Sequence, residues 1–155
     1  MKLYNIILII FLISCSNNNH NPENIMNIAN DLRLNNKIDE AILQYKLLID
    51  KCPNSDLLPI AQYQIADIYK NDKKEYEYAI SQYQIILDKF NNHDIARKSL
   101  FMMAYIYHND IGLYTQSLNY YKQFEKKYPD DELITSVQFE IEELNKILSK
   151  SNLLN

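Results

Sequence analysis

An all-α solenoid of three helix pairs closed by one further helix is the fold this sequence predicts, and three observations predict it. The stretch Ala79–Asp94, AISQYQIILDKFNNHD, recurs once before and once after itself at a shift of 38 residues, without an insertion. Ala79 falls on Ala41 and Ser117, Tyr83 on Tyr45 and Tyr121, Ile86 on Leu48 and Phe124, and Phe90 on Cys52 and Tyr128. Such self-similarity marks units that bury their apolar faces only by stacking on one another. Within each copy the apolar residues fall at helical spacing, and each copy ends in turn chemistry: Pro53-Asn54-Ser55-Asp56, Asn91-Asn92-His93-Asp94, Pro129-Asp130-Asp131-Glu132.

Taken in order, the chain opens with MKLYNIILIIFLISCSNNN. Lys2 precedes an apolar run from Ile6 to Ile13 that is too short to span a bilayer as a helix and has the make-up of a secretory signal. Leu12-Ile13-Ser14-Cys15 resembles the lipobox of bacterial lipoproteins, which implies a signal peptide over 1–14 and lipid attachment at Cys15. Acyl chains on that thiol would hold the protein on a membrane. Ser16 is not the aspartate that retains many such lipoproteins in the inner membrane, so the resemblance implies the outer membrane, facing the periplasm. Residues 15–22, with three consecutive asparagines, have no apolar periodicity and read as a tether.

Helical patterning begins at Glu23. Ile25, Ile28, Ala29 and Leu32 share one face; Ala41, Ile42, Tyr45, Leu48 and Ile49 share a second. The intervening turn places Asn36, Lys74 and Gly112 in register, and Gly112 is the chain's only glycine. That position therefore reads as left-handed, a conformation glycine adopts without strain and asparagine tolerates. After each second helix, Ser or Asp is expected to cap the next one. Cys52 stands where the other copies have Phe90 and Tyr128, the place of a small buried hydrophobe. Glu132–Lys150 keeps the register, with Phe139 matching Phe101, but Glu142 replaces the small residue and no second helix follows; it reads as a capping helix, with 151–155 frayed.

These residues resemble the tetratricopeptide repeat, a 34-residue helix-turn-helix unit with small residues at positions 8 and 20, an aromatic at 24 and proline at 32. Counted from Pro22, the first unit has Ala29, Ala41, Tyr45 and Pro53 at those positions. The second has Ala66, Ala79 and Tyr83, and the third Ala104, Ser117 and Tyr121, each with one extra residue between its helices. The resemblance implies a right-handed stack over 22–150, with repeats at 22–56, 57–94 and 95–131, a cap at 132–150, and first helices lining a concave side. Pro53-Asn54-Ser55 followed by AQYQIADIY is similar to the junction in BamD-like outer-membrane assembly lipoproteins and in the periplasmic Tol-Pal coordinator. BamD-like chains have five repeats, so this one is two short.

Composition narrows the function. With 20 acidic and 16 basic residues the net charge is -4, so electrostatics invite no nucleic acid. There is no glycine-rich phosphate loop, HExxH, nucleophile elbow or cysteine-histidine metal spacing, and no cofactor or catalytic residue is expected. His93-Asp94 and His108 with Asp110 read as solvated turn residues. The expectation is a membrane-anchored, non-enzymatic scaffold for an envelope protein or peptide, with a Tol-Pal or polysaccharide-export adaptor as the alternative and an accessory cell-wall hydrolase as a distant one.

If first helices line the concave side, position 5 offers Met26, Tyr63, Phe101 and Phe139, and position 9 offers Asn30, Asp67, Tyr105 and Glu143, edged by Arg33, Lys70 and His108. Repeats of the resembled family that grip a C-terminal carboxylate use Lys and Asn there. Asp67 and Glu143 would repel one, so an extended or helical peptide with apolar anchors suits this stripe better. Two readings of Tyr63 and Phe101 stand open, as peptide contacts or as packing between neighbouring helices.

Overall fold

A computed structural model describes residues 21–152; the signal, Cys15 and residues 153–155 lie outside the described residues. Within them the chain forms seven α-helices and no strand. They are α1 (Pro22–Leu34), α2 (Ile38–Lys51), α3 (Leu58–Asn71), α4 (Tyr76–Lys89), α5 (Asp94–Tyr105), α6 (Tyr114–Lys127) and α7 (Ile134–Asn152). A π-helical segment, Ile106–Ile111, continues α5. Two compact units divide at Gln64 and Ile65, inside α3.

In the first unit α1 begins where its chemistry dictates. Asn21 Oδ1 accepts from the Asn24 amide at 2.9 Å, and Pro22 occupies the first helical position, where a missing N–H costs nothing. Residues 15–20 of the expected tether lie outside the described residues, and Asn21 and Pro22, which it included, cap and begin α1. α1 and α2 pack on one another, and Ala29 and Ala41 are fully buried, as are Ile25, Tyr45 and Leu48. Small side chains there let the two backbones approach, which a larger one would prevent. Cys52 is buried, as its register predicts.

In the second unit the same positions are again buried: Ala66, Ala79, Ala104 and Ser117, with Tyr83 and Tyr121. Leu100, Ala104, Leu118, Tyr121, Phe124, Val137 and Leu144 form one core cluster, against which Ile141 and Leu148 of α7 pack. Val137, Ile141, Leu144 and Leu148 follow helical spacing, so α7 covers α6 with one apolar stripe and leaves Glu142, Glu143 and Lys146 outward. This is the expected capping helix, displaced to Ile134–Asn152, so residues 151 and 152, expected to fray, are helical.

The three inter-helix turns share a left-handed residue at the predicted register: Asn36 (φ 59°), Lys74 (φ 58°) and Gly112 (φ 77°). Their closures differ. The Lys37 amide reaches back five residues to the Leu32 carbonyl, whereas Glu75 and Leu113 reach back six, to Tyr69 and Tyr107. The extra residue of the second and third copies is thus taken up in a wider closing turn. In the third copy it becomes the π-helical segment. The cap of α5 also differs from expectation. His93, not Asp94, caps α5, its Nδ1 accepting from the Ile95 amide at 3.1 Å. In the same register Ser55 Oγ accepts from Leu57 N (3.1 Å) and Asp131 Oδ1 from Leu133 N (2.8 Å), so three chemically unlike side chains perform one task.

Candidate partner-binding surface

The first-helix residues are positioned by the small-residue contacts behind them, and the structure treats them unequally. In the first unit Met26 is only 8% exposed, which corrects its assignment to an open stripe: with Ile25 and Ala29 it forms the buried face of α1. Asn30 Oδ1 accepts a 2.6 Å hydrogen bond from the Tyr45 hydroxyl, a buried phenol satisfied by position 9 of its own repeat. Arg33 Nη1 donates to Gln64 Oε1 at 3.0 Å. Tyr63 is half-buried.

In the second unit Phe101 is half-buried, edge-on to Tyr121 and Phe124 at centroid distances of 5.8 and 6.1 Å, so it packs against the second helix of its own repeat. Tyr105 and Phe139 are the apolar side chains of the stripe that reach solvent, at 38% and 61% exposure. Lys70 Nζ lies 5.0 Å from the Tyr105 ring centroid and 3.0 Å from Asn71 Oδ1, whose own amide donates to Asp67 at 2.6 Å. His108 is not a solvated turn residue. It stands in the π-helical segment with Nδ1 2.9 Å from Glu140 Oε2 and its ring edge-on to Tyr114.

Arg33, Lys70 and His108 occupy one register, and Gln64, Met102 and Glu140 occupy another on the following first helix. The pairs Arg33–Gln64 and His108–Glu140 are therefore the same contact made twice. In the middle copy Met102 offers no carboxylate or amide oxygen, and Lys70 turns to the Tyr105 face instead. Gln64 and Glu140 escaped the sequence reading, although applying the repeat shift to the partners of the cations would have found them.

Tyr121 completes this region. It is fully buried, and among the described residues its hydroxyl has no hydrogen-bond partner, because Tyr105 occupies the position from which Asn30 serves Tyr45. Burial, with Glu140 and Tyr105 nearby, pushes its ionisation well above the ordinary tyrosine range, so it stays a neutral donor. In the third copy's small pair, Ser117 Oγ donates to the Ala104 carbonyl at 2.8 Å. Among the described residues no cluster of three or more His, Cys, Asp or Glu could hold a metal, and no helix is long and apolar enough to cross a membrane.

The family profile of the tetratricopeptide repeat matches residues 60–93 and 98–131, two copies that start 38 residues apart. The match supports two tetratricopeptide repeats in this chain. The matched segments hold α3 with α4 and α5 with α6, and the unmatched pair α1 and α2 repeats their small residues, tyrosine and left-handed turn. No curated protein gives a significant match to the chain. Tetratricopeptide repeats are scaffolds for protein–protein interaction, so Tyr105, Phe139 and the polar side chains around them stand as candidate contacts for a protein partner.

Proposed function

We propose that this protein is a lipid-anchored scaffold of the bacterial envelope that resembles BamD-like outer-membrane lipoproteins and holds a peptide segment of an envelope protein. The observation that carries the binding reading is the exposure of Tyr105 and Phe139 in a stripe whose neighbouring polar groups are already ordered, Lys70 by Tyr105 and Asn71, His108 by Glu140. Aromatic anchors beside side chains that are already held lose little entropy on binding. Phe101 acts as a packing residue behind that surface.

Anchoring rests on Leu12-Ile13-Ser14-Cys15. Growth with a tagged fatty acid should label the wild-type protein and leave Cys15→Ser unlabelled; an unlabelled wild type refutes the anchor. For the partner, affinity capture from envelope extract is compared between wild type and Tyr105→Ser/Phe139→Ser, with folding followed by circular dichroism. Loss of capture with an unchanged melting temperature supports the surface, and undiminished capture removes it.

A further inference from the structure

The second unit carries a separate groove of about 490 Å³ that shares no residue with the Tyr105 and Phe139 stripe. Its floor is apolar: Leu100 of α5 is buried, and Leu87 of α4 and Tyr120 of α6 lie half-buried against the core cluster. An apolar side chain entering it would extend that core rather than cover an isolated spot. The walls are amides and cations: Gln84 and Gln123 with Lys126 and Lys127.

None of the lining residues is acidic, in a chain with 20 acidic residues and a net charge of -4. The nearby carboxylates of Asp88 and Glu125 each accept from a glutamine amide. Asp88 accepts from Gln84 Nε2 at 2.8 Å, which leaves the Gln84 carbonyl as an acceptor, and Glu125, the acidic residue of α6, takes Gln138 of α7 at 3.1 Å. Lys127 Nζ lies 3.4 Å from the Asn91 carbonyl and 5.2 Å from the Tyr128 ring centroid. Its ammonium is thus ordered by neutral groups, while Asp94, Asp130, Asp131 and Glu132 line a neighbouring pocket that Lys127 also borders.

We propose that this groove docks a short acidic segment of a second partner protein, one with leucine-sized side chains flanked by Asp or Glu. The apolar residue sits on Leu87, Leu100 and Tyr120, the carboxylates pair with Lys126 and Lys127, and the glutamine amides meet the segment's backbone. Charge fixes which segments are accepted and makes the contact salt-sensitive, while the floor supplies the buried area.

The test uses the purified chain and two fluorescein-labelled synthetic peptides, one of leucine pairs separated by glutamates and its counterpart with lysine for every glutamate, followed by anisotropy. The acidic peptide should bind saturably at low salt and more weakly as salt rises, and the basic one should not bind. Lys126→Glu/Lys127→Glu and Leu87→Gln should each weaken binding at least tenfold with circular dichroism unchanged, and Phe139→Ser should leave it unaltered. Absence of saturable binding overturns the proposal, as does equal binding of the two peptides or indifference to charge reversal. Sedimentation that shows the chain itself associating through Lys126 and Lys127 replaces the partner with a second copy and overturns it as well.

Discussion

The first and third helix pairs are built on the same small residues and the same tyrosine, yet they finish their polar business differently. In α1 and α2, Ala29 and Ala41 are fully buried, the Tyr45 hydroxyl is satisfied by Asn30, and the turn closes through Asn36 in five residues. In α5 and α6, Ser117 bonds the Ala104 carbonyl, the Tyr121 hydroxyl has no partner among the described residues, and the turn closes in six residues through a π-helical segment and Gly112. The difference teaches that packing positions tolerate little change, because steric contact decides them. Position 9 is free to vary, and a change there from Asn30 to Tyr105 exchanges a satisfied core for an exposed ring.

The largest effect should come where the two pairs are alike. Ala29→Leu and Ala104→Leu should each lose about 1–3 kcal/mol by overpacking, read from urea unfolding. A neutral outcome at either site would break the equivalence of the pairs. The turns come next. A Cβ at Gly112 would meet nothing within 4 Å, so Gly112→Ala should lose about 1–2 kcal/mol through its left-handed backbone alone. Asn36→Ala, which already carries a Cβ, should lose less, and a larger loss at Asn36 would show that steric crowding rather than φ governs these turns.

The tyrosine hydroxyls sharpen the comparison through a change of sign. Tyr45→Phe should lose about 0.5–1.5 kcal/mol, since it removes a hydrogen bond and leaves Asn30 without it. Tyr121→Phe should be neutral or gain up to about 1 kcal/mol, since it removes a buried donor that bonds nothing among the described residues. Equal losses in the two variants, measured by thermal melting, would mean that Tyr121 finds a partner in solution. The smallest effect is expected on the outer face of α7. Lys146 bridges Glu142 and Glu143 in solvent, and Lys146→Ala should leave the melting curve unchanged.

What the sequence determined by itself was everything that depends on local period and on recurrence. The helix pairs, the buried small residues, the burial of Cys52, the capping helix and the left-handed turn at Asn36, Lys74 and Gly112 were all legible, because three copies constrain one another and a helix shows its buried face within a few residues. Of the candidate surface, the stripe's positions were legible but not their fates. Met26 sank into the core, Phe101 turned to Tyr121 and Phe124, and Tyr105 and Phe139 stayed in solvent. Only tertiary structure decided those fates, together with the pairing of Arg33 with Gln64 and of His108 with Glu140, and the burial of the Tyr121 hydroxyl away from any acceptor among the described residues. The physical reason is range. A helix face is set by neighbours three and four residues away, whereas the partner of a polar side chain lies a full repeat distant and depends on how one helix is laid against the next.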